Sequence, residues 1–231
     1  IRDPLWSGGL GDVYKRQSVV MRVEPVSAYP PATSRTLAEW MDADLAAMHG
    51  TDSRSRLREV ADARAMRRGM WASFLALGSS SVVVGLVLLA VGMPPSAYVP
   101  SMIVGGIVAV VSGVFLARVR GWIPKPGTSY TTRGAGSLGG GLIAAASIFG
   151  ALNVFLIPGI VSSVDPVPLL VLDAGFALLL VSVFVIPAAV IGRGRQTLRR
   201  EAARDQRLVA ALERDRVTWV PLVAVPMFGP L

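Results

Sequence analysis

Two polar residues stand inside long apolar stretches of the sequence and could do chemistry there. Asp173 and Asn153 lie in neighbouring stretches that hold almost no other ionisable group. A carboxylate at the centre of a bilayer costs at least about 2.5–3.5 kcal/mol, so residues of this kind often have a function. Together the two side chains could bind a cation or relay a proton. Two structural interpretations stay open. One is a polar clamp between helices, and the other is a carboxylate stabilised roughly 9 Å inside its helix by the dipole of the N-terminus.

A basic segment separates two of the apolar stretches and leads into a glycine-rich string. Its basic residues are Arg118, Arg120, Lys125 and Arg133. With the free amides at the start of the next helix, they could hold the phosphate of an anionic lipid headgroup. The ordinary excess of positive charge beside membrane spans is the simpler explanation. The string from Gly134 to Gly139 matches GxGxxG, but a dinucleotide site also needs a strand and a βαβ unit around it, so we reject that site.

No set of residues in the sequence predicts catalysis or metal binding. His49 is the one histidine and there is no cysteine, so neither a metal site nor a cysteine nucleophile is expected. Serines are plentiful, as at 79–81, yet no base accompanies them. We therefore expect neither enzymatic activity nor a cofactor. The net charge of +8 would suggest nucleic acid in a soluble protein, but these basic residues flank apolar stretches, so we expect anionic lipid as their partner instead.

The elements that must position these residues are membrane-spanning helices. Residues 71–117 hold no charged side chain, and residues 137–192 hold only Asp165 and Asp173. About 20 apolar residues in a helix cross the roughly 30 Å of hydrocarbon in a bilayer, so each block is long enough for two crossings. The sequence predicts an all-α integral membrane protein in which four transmembrane helices form a bundle of two hairpins. We number these spans 1 to 4, at about 70–91, 98–117, 138–157 and 167–191, with Pro158 ending or kinking span 3.

Amphipathic helices are expected on both sides of the spans. Residues 18–69 contain a capping box at Thr36 and Glu39, which starts an apolar stripe, and then a basic helix that runs on into span 1. A polar helix with one apolar face follows span 4, over residues 193–216. The N-terminal stripe could lie on the membrane surface or pack against this C-terminal helix.

The two ends of the sequence carry segments that we set apart. Residues 1–17 resemble translated sequencing-adapter sequence, so we expect them to be non-native, with Met21 as the start; an ordinary N-terminal segment is the alternative. Residues 217–231 are apolar, but three prolines divide them, so they do not form a fifth span. Trp219 and Phe228 suit an anchor at the membrane surface, unless the segment is a truncated end.

Small residues recur within spans 2 and 3 and predict close helix packing. Lipid is as apolar as leucine, so helices associate where small side chains let their backbones approach. The residues concerned are Gly105, Ala109 and Gly113 in span 2, and Gly141 and Ala145 in span 3. We expect them to pack the four helices against one another, with a dimer interface as the alternative.

Basic residues are distributed unevenly along the chain, and this predicts how it is threaded. Sixteen Lys and Arg lie just before span 1, in the central loop and just after span 4, whereas the connections at 93–97 and 158–166 have none. Positive charge favours the cytoplasmic side of a membrane. Both termini and the central loop are therefore expected in the cytoplasm. An inner membrane is expected, because the excess of Arg over Lys is typical of a GC-rich bacterial genome.

Two classes of function remain after these exclusions. We prefer a non-enzymatic membrane subunit whose cytoplasmic helices bind a protein partner or the lipid surface. The alternative is a small transporter or channel subunit, active as an oligomer, which uses Asp173 and Asn153 to handle ions or protons. The surroundings of Asp173 separate the two classes, because transport requires a polar path to the carboxylate.

Overall fold

Four helices in this chain are long and apolar enough to cross a membrane. The computed structural model describes residues 29–50, 54–125, 137–163, 166–222 and 225–231, so the adapter-like segment and Arg133 lie outside the described residues. In this part of the chain the regular structure is helical, apart from two isolated β-bridges. The α-helices are α1 (Leu37–Trp40), α2 (Ala43–Met48), α3 (Arg56–Ala90), α4 (Pro95–Arg118), α5 (Leu138–Ser162), α6 (Val167–Leu180), α7 (Ile186–Gly192), α8 (Gly194–Ala202) and α9 (Gln206–Thr218).

Prolines account for the differences between the observed and the predicted spans. Span 1 is residues 70–90 of α3, span 2 is α4, span 3 is α5, and span 4 is α6 and α7 joined by a π-helical turn. Span 2 contains Pro100, and span 3 continues through Pro158 to Ser162 instead of ending there. Helix continues because no other conformation pairs the backbone groups of a lipid-exposed segment. The π-helical turn precedes Pro187, whose ring crowds the carbonyl one turn back.

The spans contact one another in a single row, and the expected closed bundle stays a prediction. Span 1 packs against span 2 on one side and against span 4 on the other, and span 3 packs against span 4. Within the described residues, spans 2 and 3 make no close backbone contact. The order along the row is therefore 2, 1, 4, 3. Since the central loop joins span 2 to span 3, it must connect the two ends of the row.

Glycines set the closest approaches in the row. A Cβ atom added at Gly105 would lie 2.7 Å from the carbonyl oxygen of Gly78, and one added at Gly78 would lie 2.6 Å from the backbone nitrogen of Ala109. Spans 1 and 2 thus meet backbone to backbone. Where spans 3 and 4 meet, a Cβ atom at Gly141 would lie 2.6 Å from the carbonyl oxygen of Phe184. Such contacts exclude any larger side chain.

The small residues predicted to pack the helices divide into two groups. Gly105, Ala109 and Gly141 lie in these seams, and Ala145, one turn after Gly141, is 6% exposed. Gly113 does not belong to the seam, because a Cβ atom there would meet nothing within 4 Å. Helices that cross at a small left-handed angle repeat their contacts every seven residues, so a residue eight positions along points away from the neighbouring helix. The buried Ser112, seven residues after Gly105, therefore takes the place expected for Gly113.

Three separate parts of the chain fold together where the helix axes of the row end on one side, and we call the result the juxtamembrane domain. It consists of the described residues among 29–69, 119–125 and 193–231. Along the helix axes, we call this side the domain end, and the opposite side, with the two short connections, the turn end. The core of the domain contains Leu37, Trp40, Leu45, Leu57, Val60, Ala61, Leu198, Leu208, Leu212, Trp219, Met227, Phe228 and Leu231.

The apolar stripe that follows Thr36 forms two short helices rather than one. The capping box between Thr36 and Glu39 is present, but α1 ends at Trp40. Asp42 then starts α2 by accepting a hydrogen bond from the amide of Asp44 at 2.8 Å. Aspartate caps a helix better than it continues one, which explains the break. The buried side chains of this stripe share a core with α9, so they pack against the C-terminal helix and not against a membrane surface.

Trp219 and the end of the C-terminal tail, residues 227–231, are buried, which corrects the prediction of a surface anchor. Phe228 is fully buried, Trp219 is 7% exposed, and their rings meet edge to face with centroids 6.2 Å apart. The carbonyls of Met227 and Phe228 accept hydrogen bonds from the amides of Arg56 and Leu57, at 2.9 and 2.8 Å. These amides open α3, where a helix has no acceptors of its own for them. The tail therefore caps the helix that carries span 1.

Candidate functional site

The two polar residues of spans 3 and 4 meet. The amide nitrogen of the Asn153 side chain donates a hydrogen bond to a carboxylate oxygen of Asp173 at 3.0 Å, and another to the carbonyl of Phe149 at 3.1 Å. Both polar side chains are half-buried. Span 4 begins at Val167, so Asp173 lies about 9 Å into the span from the turn end.

This pair forms a polar clamp between two helices and retains further binding capacity. A hydrogen bond between membrane helices contributes about 0.6 kcal/mol on average, and at most about 1.7 kcal/mol. An ionised carboxylate has about four acceptor positions, and the amide of Asn153 occupies one of them. The arrangement is thus sufficient for a structural role and leaves room for a proton or a cation.

A cleft of about 240 Å³ opens between spans 1, 2 and 4. Its lining is mostly apolar, with Ser80, Ser81 and Ser101 as the hydroxyl-bearing residues. The hydroxyl of Ser81 donates back to its own helix, as does that of Ser101. Asp173 points instead to span 3, on a different face of span 4 from the residues that line the cleft. The cleft therefore does not provide the polar path to Asp173 that transport would require.

Three of the basic residues that were expected beside one lipid phosphate lie at or just beyond the end of span 2, and the fourth, Arg133, lies outside the described residues. Arg118 is exposed at the end of span 2, Arg120 lies in the 3₁₀ turn that follows, and Lys125 is exposed beyond it. The start of span 3 is capped by Ser137, whose hydroxyl accepts a hydrogen bond from the amide of Gly140. Because spans 2 and 3 stand at opposite ends of the row, the amides at this start do not lie beside Arg118.

Buried arginines in the first turns of α3 hold segments of the domain together, and sequence patterns did not reveal them. The guanidinium of Arg56 is fully buried and donates to Asp215 at 3.0 Å, to Glu59 at 2.9 Å and to the carbonyl of Pro124 at 2.6 Å. It joins three chain segments at one point: α3, α9 and the central loop.

A second buried arginine, two turns along α3, repeats this arrangement. Arg64 donates to the carbonyl of Trp122 in the central loop and to Glu201 of α8, the latter at 2.9 Å. Arg68 pairs with the same carboxylate. The central loop is therefore held to α3 by side-chain donors to its carbonyls, and the loop becomes part of the domain.

Two carboxyl groups of the domain have shifted pKa values. Burial raises the pKa of Asp62, against the opposing effect of Arg195 and Arg58 nearby. A hydrogen bond from Arg216 lowers the pKa of Glu213. The first shift follows from burial, and the second from an ion pair within α9. The arrangement around these carboxyl groups is thus that of a structural scaffold.

Two features of the described chain remain as functional candidates, namely the Asn153–Asp173 pair and the juxtamembrane domain. Comparison of the chain with protein-family models, with curated proteins and with solved structures produced no match. Function has to be inferred from the geometry of these two features.

Proposed function

We propose that this protein is a non-enzymatic, multi-pass subunit of a bacterial cell membrane, which holds a protein partner or an assembly through its juxtamembrane domain. The four long apolar helices support the placement in a membrane. In this proposal both termini and the domain lie in the cytoplasm, and the two short connections at the turn end face outward.

The shared core of the juxtamembrane domain is the observation that carries this proposal. Trp40 of the N-terminal segment, Leu212 of α9 and Phe228 of the tail belong to one buried cluster. Pro124 of the central loop is bound to Arg56. Segments whose side chains share one buried core must lie on the same side of a membrane, because one core cannot extend through the bilayer. A folded domain also offers a shaped surface to a partner, which simple anchoring would not need.

The distribution of basic residues supports the cytoplasm as the side of this domain. The sixteen Lys and Arg near the ends of the spans all lie before span 1, in the central loop or after span 4. Some of them, such as Arg56 and Arg64, are buried in ion pairs. The positive-inside rule nevertheless counts Lys and Arg and is not a rule of net charge.

Site-specific photo-crosslinking in cells tests the proposal. A photoreactive amino acid at Arg204 or Arg207, which are exposed positions of the domain, is expected to trap a discrete protein partner. The same amino acid at Ser96, an exposed position of the turn end, is the matched control and is expected to trap none. Mass spectrometry identifies the trapped protein. Protein adducts formed only at Ser96, or at none of the three positions, would contradict the proposal.

The hydrogen bond between Asn153 and Asp173 supports a second candidate function, a transporter or channel subunit. Proton and cation flux in vesicles distinguishes it from the first. Flux that is carried by the wild-type chain and lost in Asp173→Asn would favour transport. Equal flux through the wild-type chain and through Asp173→Asn would mean that Asn153 and Asp173 only hold spans 3 and 4 together.

A further inference from the structure

Two arginines at the domain end lie against aromatic rings. The guanidinium carbon of Arg67 is 4.5 Å from the centre of the Trp122 ring, and that of Arg118 is 5.6 Å from the Phe115 ring. The rings of Phe115 and Trp71 stack with their centroids 4.5 Å apart. Trp71 is one turn along α3 from Arg67, and Phe115 is one turn before Arg118 on α4. We call these five residues the arginine–aromatic ladder.

The charge balance of the ladder differs from that of three other arginines on α3. Arg56, Arg64 and Arg68 each pair with a carboxylate. In the part of the chain that the structure describes, neither Arg67 nor Arg118 has a carboxylate oxygen within 4.0 Å. A ring face attracts a cation but does not neutralise its charge. Both guanidinium groups can therefore still attract an anion.

In the proposed membrane placement, the ladder lies at the level of the lipid headgroups. Span 1 starts at about residue 70, just after Arg67, and span 2 ends at Arg118. Tryptophan side chains such as Trp71 are typical of this boundary. The apolar surface of the same two spans continues into the membrane through the exposed side chains of Phe74 and Val114. A ligand whose phosphate lies beside the two arginines and whose acyl chains lie along the apolar side chains of the spans matches this arrangement.

We propose that the arginine–aromatic ladder binds the headgroup of an anionic phospholipid, with Arg67 and Arg118 as the ligands of its phosphate. Guanidinium groups suit this role, since their planar donors can pair with two phosphate oxygens at once. The stacked rings of Trp71 and Phe115 join α3 to α4, about one turn from each arginine. This inference rests on the proposed membrane placement, but it does not depend on which side of the membrane the domain faces.

Native mass spectrometry of the full chain in detergent tests the site, with titrations of phosphatidylglycerol and, separately, of phosphatidylcholine. Each basic residue near an anionic surface contributes about a fivefold factor in binding, so Arg67→Gln with Arg118→Gln is expected to weaken phosphatidylglycerol binding roughly thirtyfold. Binding of phosphatidylcholine is expected to stay the same. The matched control, Arg204→Gln with Arg207→Gln, removes the same charge from exposed positions of the domain and is expected to change the affinity less than about twofold.

Two results would overturn the site. These are wild-type affinity in the ladder variant and an equal loss in the control variant. If the double variant does not fold, Arg118→Gln alone carries the test, because its side chain is exposed, and it is expected to weaken binding about fivefold. A negative result here leaves the proposed partner untouched, since the crosslinks at Arg204 and Arg207 form without any need for bound lipid.

Discussion

Asn153 of span 3 donates a hydrogen bond to Asp173 of span 4 at 3.0 Å, near the turn end of the seam that attaches span 3 to the row. The close approach of Gly141 to Phe184 holds the same seam toward the domain end. Span 3 stands at the end of the row with span 4 as its neighbour, so both contacts help to hold it in place.

The clamp predicts that substitutions of Asp173 depend on hydrogen-bonding ability and not on charge. Asp173→Asn keeps an oxygen acceptor for Asn153 and is expected to melt in detergent at the wild-type temperature. Asp173→Leu loses the bond and is expected to lower stability by about 0.6–1.7 kcal/mol. Leu172→Ala, at an exposed neighbouring position, serves as the control. If the asparagine variant melted as early as the leucine variant, the ionised carboxylate itself would be required.

The seam between spans 1 and 2 predicts opposite outcomes for two glycines of span 2. Gly105→Leu is expected to lower the melting temperature in detergent, because a side chain there meets the backbone of Gly78 and overpacking costs about 1–3 kcal/mol or more. Gly113→Leu is expected to be tolerated, since that position is open, and Ala109→Gly likewise, since it only removes a methyl group. Equal melting of the two leucine variants would place the seam elsewhere.

The buried ion pairs predict a large loss of stability on replacing Arg56. Arg56→Met leaves Asp215, Glu59 and the carbonyl of Pro124 without their donor, and removing one partner of a buried pair costs about 3 kcal/mol. Arg214→Met, at an exposed position of α9, removes the same charge and is expected to change stability little. Denaturant titration of the purified protein measures both. Similar midpoints for the two variants would mean that Arg56 does not join the segments.

Burial of the tail predicts that its end stabilises the domain. Phe228→Ala removes a fully buried ring and is expected to cost about 3–5 kcal/mol. Val220→Ala, in the same tail but 70% exposed, is expected to have a negligible effect. Thermal unfolding followed by circular dichroism compares the two variants. If the tail instead lay on the membrane, Phe228→Ala and Val220→Ala would unfold at the same temperature in detergent, and the effect of Phe228→Ala would depend on added lipid.

The proposed threading predicts which positions react with a membrane-impermeant thiol reagent. The chain has no cysteine, so single cysteines can be introduced without background. Ser96→Cys and Ser162→Cys, at the turn end, are expected to react in intact cells, whereas Ala203→Cys in the domain is expected to react only after the cells are opened. All three positions are exposed. The reverse pattern would place the domain outside the cell and overturn the proposed orientation.

The candidate site could be predicted in part. The meeting of Asn153 with Asp173 followed from threading alone, since both residues fall in the same half of adjacent spans. The membership of Gly105, Ala109, Gly141 and Ala145 in seams followed from residue size. Gly113 was placed wrongly, because small residues four apart mark a helix face but do not specify the crossing angle that selects positions seven apart. Whether any open helix face serves a dimer stays a prediction.

The sequence by itself determined the existence of four membrane-length helices, because hydropathy is a local property that adds up along each segment. It also determined the capping box at Thr36 and Glu39, which depends on neighbours within one helical turn. Only the tertiary structure decided the order of the spans in the row, the burial of Phe228 and the partners of Arg56 and Arg64. These features depend on contacts between segments far apart in the chain, and an apolar or basic side chain does not indicate by its type whether lipid, water or another segment will cover it.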